Sequence, residues 1–199
     1  MDIAFRHIVL ASASPRRLEI LRAHGIEPQV IVAKVDETEL LASLPSGLLP
    51  EELVQQLALL KAESVYEQLQ GDAACPDDAL ILAADTVVCH EKLGMLGKPT
   101  DYADAVRMLR ALCNTAHKVV TGVALINCAT GRRTALADVT TVHFGAYGLK
   151  EIEAYLALEP PFDKAGSYAI QGMWGKQVVA VEGDLENVIG LPYYRLSEL

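Results

Sequence analysis

The sequence predicts an α/β fold in which helices flank a mixed β-sheet, and three observations carry that prediction. Helix-like and strand-like patterns alternate from one end of the chain to the other. The run Ala79 to His90, ALILAADTVVCH, is apolar without alternation, the mark of a strand covered on both faces. A chain of 199 residues that is 51% hydrophobic and 22% charged can bury about 70% of its unfolded surface, so its core needs no staples. That length makes one domain spanning residues 1–199 the first expectation, and two lobes sharing a cleft the second.

His7 to Ala11 reads as a short apolar strand that runs through a small-residue turn into a helix. Ser14 is a natural N-cap, and Pro15 fits the first helical position, where its missing N–H costs nothing. Arg16 and Arg17 then fall at the positive end of the helix dipole, where each cation is unfavourable by about 0.3–1 kcal/mol unless an anion compensates. Backbone N–H groups, the hydroxyls of Ser12 and Ser14 and two guanidinium forks would converge there on a phosphate. The alternative is an ordinary solvated first turn.

Val30 to Val35 is apolar and ends at the acidic pair Asp36 and Glu37, after which Leu41 to Pro50 forms an apolar connector. Pro50 to Leu69 is the longest helical pattern, ended by Gly71, with Val54, Leu57, Ala58 and Val65 on its apolar stripe. Lys61 falls inside that stripe, so it either snorkels out along its stem or reaches a buried anion. Cys75 to Asp78 reads as a polar turn before the central strand. Asp85 interrupts that strand, and an ionised carboxylate is costly there unless paired, hydrogen-bonded or metal-bound. Either it lies at the C-terminal edge of the sheet, where α/β ligands usually sit, or it partners a buried cation.

Gly94 and Gly97 mark a loop carrying Lys98 and Pro99. The helix expected from Asp101 to Leu112 obeys the dipole rule, with Asp101 and Asp104 early and Arg107 and Arg110 late, which isolates the first helix as the exception. Lys118 to Cys128 and Thr134 to Phe144 read as strands joined by the turn ATGRR. A helix from Leu149 to Leu158 stops at Pro160 and Pro161, the loop FDKAGSYAIQG leads to a strand from Lys176 to Val181, and a short helix follows Pro192.

Composition narrows the function. With 17 basic and 26 acidic residues the net charge is −9, which repels nucleic acid but permits a small phosphorylated ligand where cations are concentrated. Cys75, Cys89, Cys113 and Cys128 form no CxxC pair, which argues against zinc and redox motifs and for reduced thiols in the cytoplasm. No signal-peptide pattern opens the chain and no apolar run approaches about 18 residues, so no membrane association is expected. GxSxG, GxxxxGK[ST], HExxH and GxGxxG patterns are missing, and His117 and His143 are assigned to strand ends. What remains is a set of cations, Arg16, Arg17, Lys61 and Lys98, together with the carboxylates Glu37 and Asp85. Phosphoryl chemistry needs both, one to neutralise oxygens and one to fix a hard cation such as Mg2+ and a water; Asp36 and Glu37 with Asp85 are the candidate ligands. The amide of Gln171, in a Gly-flanked loop, can read a base edge.

Seven blocks occur in register across nearly the whole chain: SASPRR (12–17), VDET (35–38), LALLKA (57–62), AADTVV (83–88), GKP (97–99), DKAGSYAIQG (163–172) and NVIGLP (187–192). Together they closely resemble the Maf family of nucleoside triphosphate pyrophosphatases. The resemblance implies a long twisted mixed sheet in two lobes with a central cleft, similar to the inosine triphosphate pyrophosphatases, and a homodimer. It implies metal-dependent cleavage between the α and β phosphates, with Asp85 as general base, Glu37 and Asp85 holding Mg2+ or Mn2+, and Ser12, Arg17, Lys61 and Lys98 gripping the polyphosphate. Arg16, Thr86 and Gln171 resemble the dTTP/UTP branch, and a glutamine amide can pair with the O4 and N3–H edge of uracil or thymine. Trp174 stands where the family usually has a small residue, and it is expected to narrow the base pocket. The competing expectation is a nucleotide-binding regulator of cell division without turnover.

Overall fold

The protein, described by a computed structural model over residues 7–70 and 79–199 except for the side chain of Glu37, builds its predicted α/β fold around one mixed sheet. In chain order the elements are β1 (His7–Leu10), α1 (Pro15–Ala23), β2 (Gln29–Val30), α2 (Glu37–Ser43), α3 (Pro50–Gln70), β3 (Ala79–His90) and β4 (Gly94–Leu96). Then come α4 (Tyr102–Leu112), β5 (Ala116–Asn127), β6 (Arg133–Phe144), α5 (Leu149–Leu158), β7 (Val178–Glu182) and α6 (Leu185–Ile189), with 3-10 turns at Ala165–Ser167, Met173–Gln177 and Tyr193–Glu198. The seven described strands run in the order β2-β1-β3-β5-β6-β7, and β4 pairs with β3 off that path. The pairs β1–β2 and β1–β3 are parallel, whereas β3–β4 and β6–β7 are antiparallel.

Four differences from the sequence expectation have local causes. The apolar connector after Glu37 is in part a helix, α2, because Asp36 caps it by accepting from the N–H groups of Thr38 and Glu39 at 2.7 and 3.1 Å. The Gly94 loop contains β4, which exists through its pairing with β3. The last strand starts at Val178, since Met173–Gln177 closes into a 3-10 turn, and α6 precedes the C-terminal 3-10 segment. The expected turn at Cys75–Asp78 and the helix stop at Gly71 lie outside the described residues.

The chain divides into two compact units. The first gathers the described residues up to Asp85 with Thr121–Asp138 and Gly190–Leu199. Its core packs Ala58, Ala62, Val65 and Leu69 of α3 on Val9, Ala11, Ile81, Ala83, Ala124 and Ile126. The many alanines let the helix lie close to the strands, and Gly122 marks the closest approach: a Cβ there would meet the Val54 backbone at 2.4 Å. The C-terminal segment is held by Asp138, which accepts from the Tyr194 hydroxyl at 2.9 Å and from Arg195 at 3.0 Å, while the Tyr193 ring stacks on His24 at 3.7 Å.

The second unit, Thr86–Val120 with Val139–Ile189, has an aromatic core. Phe144, Tyr155, Tyr168 and Trp174 pack with Val88, Leu109, Leu112 and Ile152. Trp174 is fully buried, 4.8 Å from the Tyr147 and Tyr155 ring centres, so it anchors its loop from inside and does not narrow a pocket. His117, near the start of β5, is also buried; its Nε2 pairs with the Tyr168 hydroxyl at 2.8 Å, and burial lowers its pKa to about 3.

Candidate active site

In the first unit, strand register assembles the candidate groups. β1 runs parallel to β3 from His7↔Ala79 to Leu10↔Leu82, and the Ala11 N–H extends the ladder by donating to the Leu82 carbonyl at 2.8 Å. Ser12 therefore leaves β1 at the C-terminal end of a parallel pair, and Asp85 stands three residues beyond Leu82 on the neighbouring strand. This is the edge at which open α/β sheets present ligand sites.

Ser12 is buried, and its Oγ accepts from the Ser14 N–H at 3.2 Å and from an Arg17 guanidinium nitrogen at 3.0 Å. Arg17 Nε donates in turn to the Gly190 carbonyl at 2.8 Å. One guanidinium thus ties the β1–α1 turn to the C-terminal segment, with its plane fixed at two points. Ser14 is the N-cap residue and Pro15 opens α1 as the sequence predicts, but the Ser14 side chain makes no capping bond and the first turn holds no acidic residue. The positive helix end and the charges of Arg16 and Arg17 are therefore combined without a local carboxylate in that turn, an arrangement suited to an anion.

Asp85 resolves the two alternatives for Lys61. The α3 stripe carries Lys61 toward β3, where its Nζ meets Asp85 Oδ1 at 2.5 Å, with the two side chains only 12% and 15% exposed. Desolvation makes each charge dependent on the other. The six residues of β3 before Asp85 are all buried, and burial relaxes at Asp85 and Thr86, so the carboxylate sits where the strand first meets solvent. A carboxylate held by a lysine through one oxygen can accept a proton from water, or ligate a hard cation, through the other.

Thr86, Lys98 and Gln171 belong to the second unit. Lys98 is exposed beside buried Pro99, and its loop is tied to the 163–172 loop by the Gly166 N–H, which donates to the Gly97 carbonyl at 3.0 Å. Gln171 is exposed near the end of that second loop. Of the other candidates, Asp36 is engaged as the cap of α2, and the side chain of Glu37 lies outside the described residues. The Gly190 carbonyl was not foreseen as a site group, because a backbone acceptor has no sequence signature of its own.

Comparison with known proteins gives a consistent result. The family described as Maf-like protein matches residues 7–199. A dTTP/UTP pyrophosphatase of Desulfitobacterium hafniense (strain Y51) is 44% identical over 97% of this chain and 83% of its own. Proteins of the same name from Pelotomaculum thermopropionicum and Alkaliphilus oremlandii are 40% and 37% identical, covering 98% and 96% of this chain and 95% and 93% of theirs. A solved HAM1 protein from Coxiella burnetii overlaps 70% of this chain and 73% of its own at 16% identity and a TM-score of 0.43, too loose a likeness to bear on the assignment.

Proposed function

We propose that this chain, which belongs to the Maf-like protein family, hydrolyses dTTP and UTP to the nucleoside monophosphate and pyrophosphate. The relatives that carry that activity in their names match it over nearly their whole length. The observation that carries the chemistry is the desolvated Lys61–Asp85 pair, set at the same strand edge as the Ser12–Arg17 grip.

Each residue then has a task. Arg16, Arg17, Ser12 and Lys98 bind the phosphate oxygens, Arg17 from a preset plane. Asp85, oriented by Lys61, accepts a proton from water as the water oxygen bonds to the α phosphorus. The bond from that phosphorus to the bridging oxygen breaks, and pyrophosphate leaves with its charge met by the cationic groups. Thr86 borders the reacting carboxylate on the same strand, and Gln171 pairs with the pyrimidine edge through its amide.

A divalent ion belongs to the same proposal: Asp85, with Glu37, would offer it hard carboxylate oxygens, although among the described residues no three His, Cys, Asp or Glu side chains gather by themselves into a metal site. Mg2+ or Mn2+ held there would supply neutralisation of the triphosphate charge. A cytoplasmic homodimer is part of the proposal, the location supported by four cysteines that form no CxxC pair.

A panel of nucleoside triphosphates with Mg2+ or Mn2+ tests the reading by product. Pyrophosphate release with preference for dTTP and UTP is the expected result. Binding without release would instead identify a nucleotide-binding regulator, and release of inorganic phosphate a phosphatase.

A further inference from the structure

Helix α5 ends on a carboxylate in the wrong place. Glu159 follows Leu158 at the negative end of the helix dipole, where an anion is disfavoured, and the last turn holds no basic residue to offset it. Its partner lies in another loop: the Met173 N–H donates to both carboxylate oxygens, at 2.9 and 3.1 Å. The adjacent Gly172 makes room for this contact, since a Cβ there would come within 2.3 Å of Glu159 Oε2. One helical turn earlier, the Tyr155 hydroxyl accepts from the Ala169 N–H at 3.3 Å. Tyr155 and the capping Glu159 thus hold the backbone on both sides of Gln171 from the C-terminal end of α5. The segment between closes on itself, with the Gly172 N–H donating to the Ala169 carbonyl at 3.3 Å. Ile170 and Met173 pack on the aromatic core and Trp174 is buried in it, while Gln171 alone between them is exposed.

We propose that Glu159, with Tyr155, is a positioning residue that aims the Gln171 amide and thereby sets the pyrimidine preference; the inference rests on the base-reading role of Gln171 proposed above. A loop that must present both a donor and an acceptor to one base edge tolerates little rotation of its backbone, and the two grips remove that freedom.

The test compares kcat and KM for UTP and GTP in the full-length protein, in Glu159→Ala, Glu159→Gln and Gln171→Ala, and in the Glu159→Ala/Gln171→Ala double variant. Glu159→Ala is expected to cut the preference for UTP about tenfold, mainly by raising KM for UTP and with little change for GTP. Glu159→Gln, whose amide oxygen still accepts from Met173, restores most of it. In the Gln171→Ala background, removing Glu159 changes the preference no further. Should Glu159→Ala fail to fold, Glu159→Asp withdraws the carboxylate by one methylene and is read the same way. Equal losses for both nucleotides, or a full further loss in the Gln171→Ala background, overturn the inference. A wild type with no pyrimidine preference overturns the base-reading assignment first, and this inference with it.

Discussion

Asp85 and Lys61 meet at 2.5 Å in a place where both side chains are mostly buried. Burial next to well-packed apolar strands makes such a pair poor value for stability, since apolar residues of similar volume commonly do as well or better. We therefore assign the pair to the proposed chemistry and not to stability. Asp85→Asn is expected to lower kcat by a factor of about 10²–10⁴ while leaving substrate affinity nearly unchanged, measured by steady-state turnover and equilibrium binding. Lys61→Met alone should lose about 3 kcal/mol in urea unfolding, and adding Asp85→Leu should recover most of it in a stable, inactive protein. If the double variant is as unstable as the single one, the pair is structural. Both charges were legible in the sequence as anomalies, a lysine in an apolar stripe and an aspartate in an apolar strand. Their union was not, because 24 residues separate them and only the approach of α3 to β3 brings them together. Arg17 was legible in the same way, whereas its Gly190 partner, 173 residues away, was not.

Among the elements, α3 decides where Lys61 lies, and its approach is set at Gly122. Gly122→Ala places a methyl carbon against the Val54 backbone, which cannot rotate away as a side chain could. The helix must shift, two turns before Lys61, at a cost of about 1–3 kcal/mol. Both a lower midpoint of thermal unfolding and a lower kcat are expected; normal kcat with lowered stability would show that α3 does not position the pair. The boundaries of β3 and α5 could be read directly, β3 from a long apolar run and α5 from a helical pattern closed by two prolines. α2 was harder, since Leu41 onward read as connector, although Asp36 followed by Glu39 carried the N-terminal signal. β4, three residues long, has no pattern to read and forms because β3 offers it an edge. Trp174 shows the same limit: its size was visible and its direction was not, because the aromatic core that receives it is drawn from distant elements.

For the whole molecule, acid stability is expected to follow His117. Its folded pKa, about 3, lies below the ordinary 6.5, because burial opposes the charged ring. Above 6.5 neither folded nor unfolded ring binds a proton and stability is complete; as pH falls from 6.5 toward 3 only the unfolded chain binds one, so stability drops by about 1.4 kcal/mol per pH unit. Urea unfolding across that range should show the slope in the wild type and a flatter one in His117→Gln; equal slopes would assign the acid limb to other groups. The net charge of −9 makes a different demand, since a triphosphate approaching an acidic protein needs locally concentrated cations, the part proposed for Arg16 and Arg17 at the start of α1. What those cations and the Lys61–Asp85 pair do together is tested most directly by hydrolysing dTTP in 18O-labelled water and following the label by mass spectrometry. Attack at the α phosphorus predicts one labelled oxygen in dTMP and none in pyrophosphate; label in pyrophosphate or in inorganic phosphate would contradict the account.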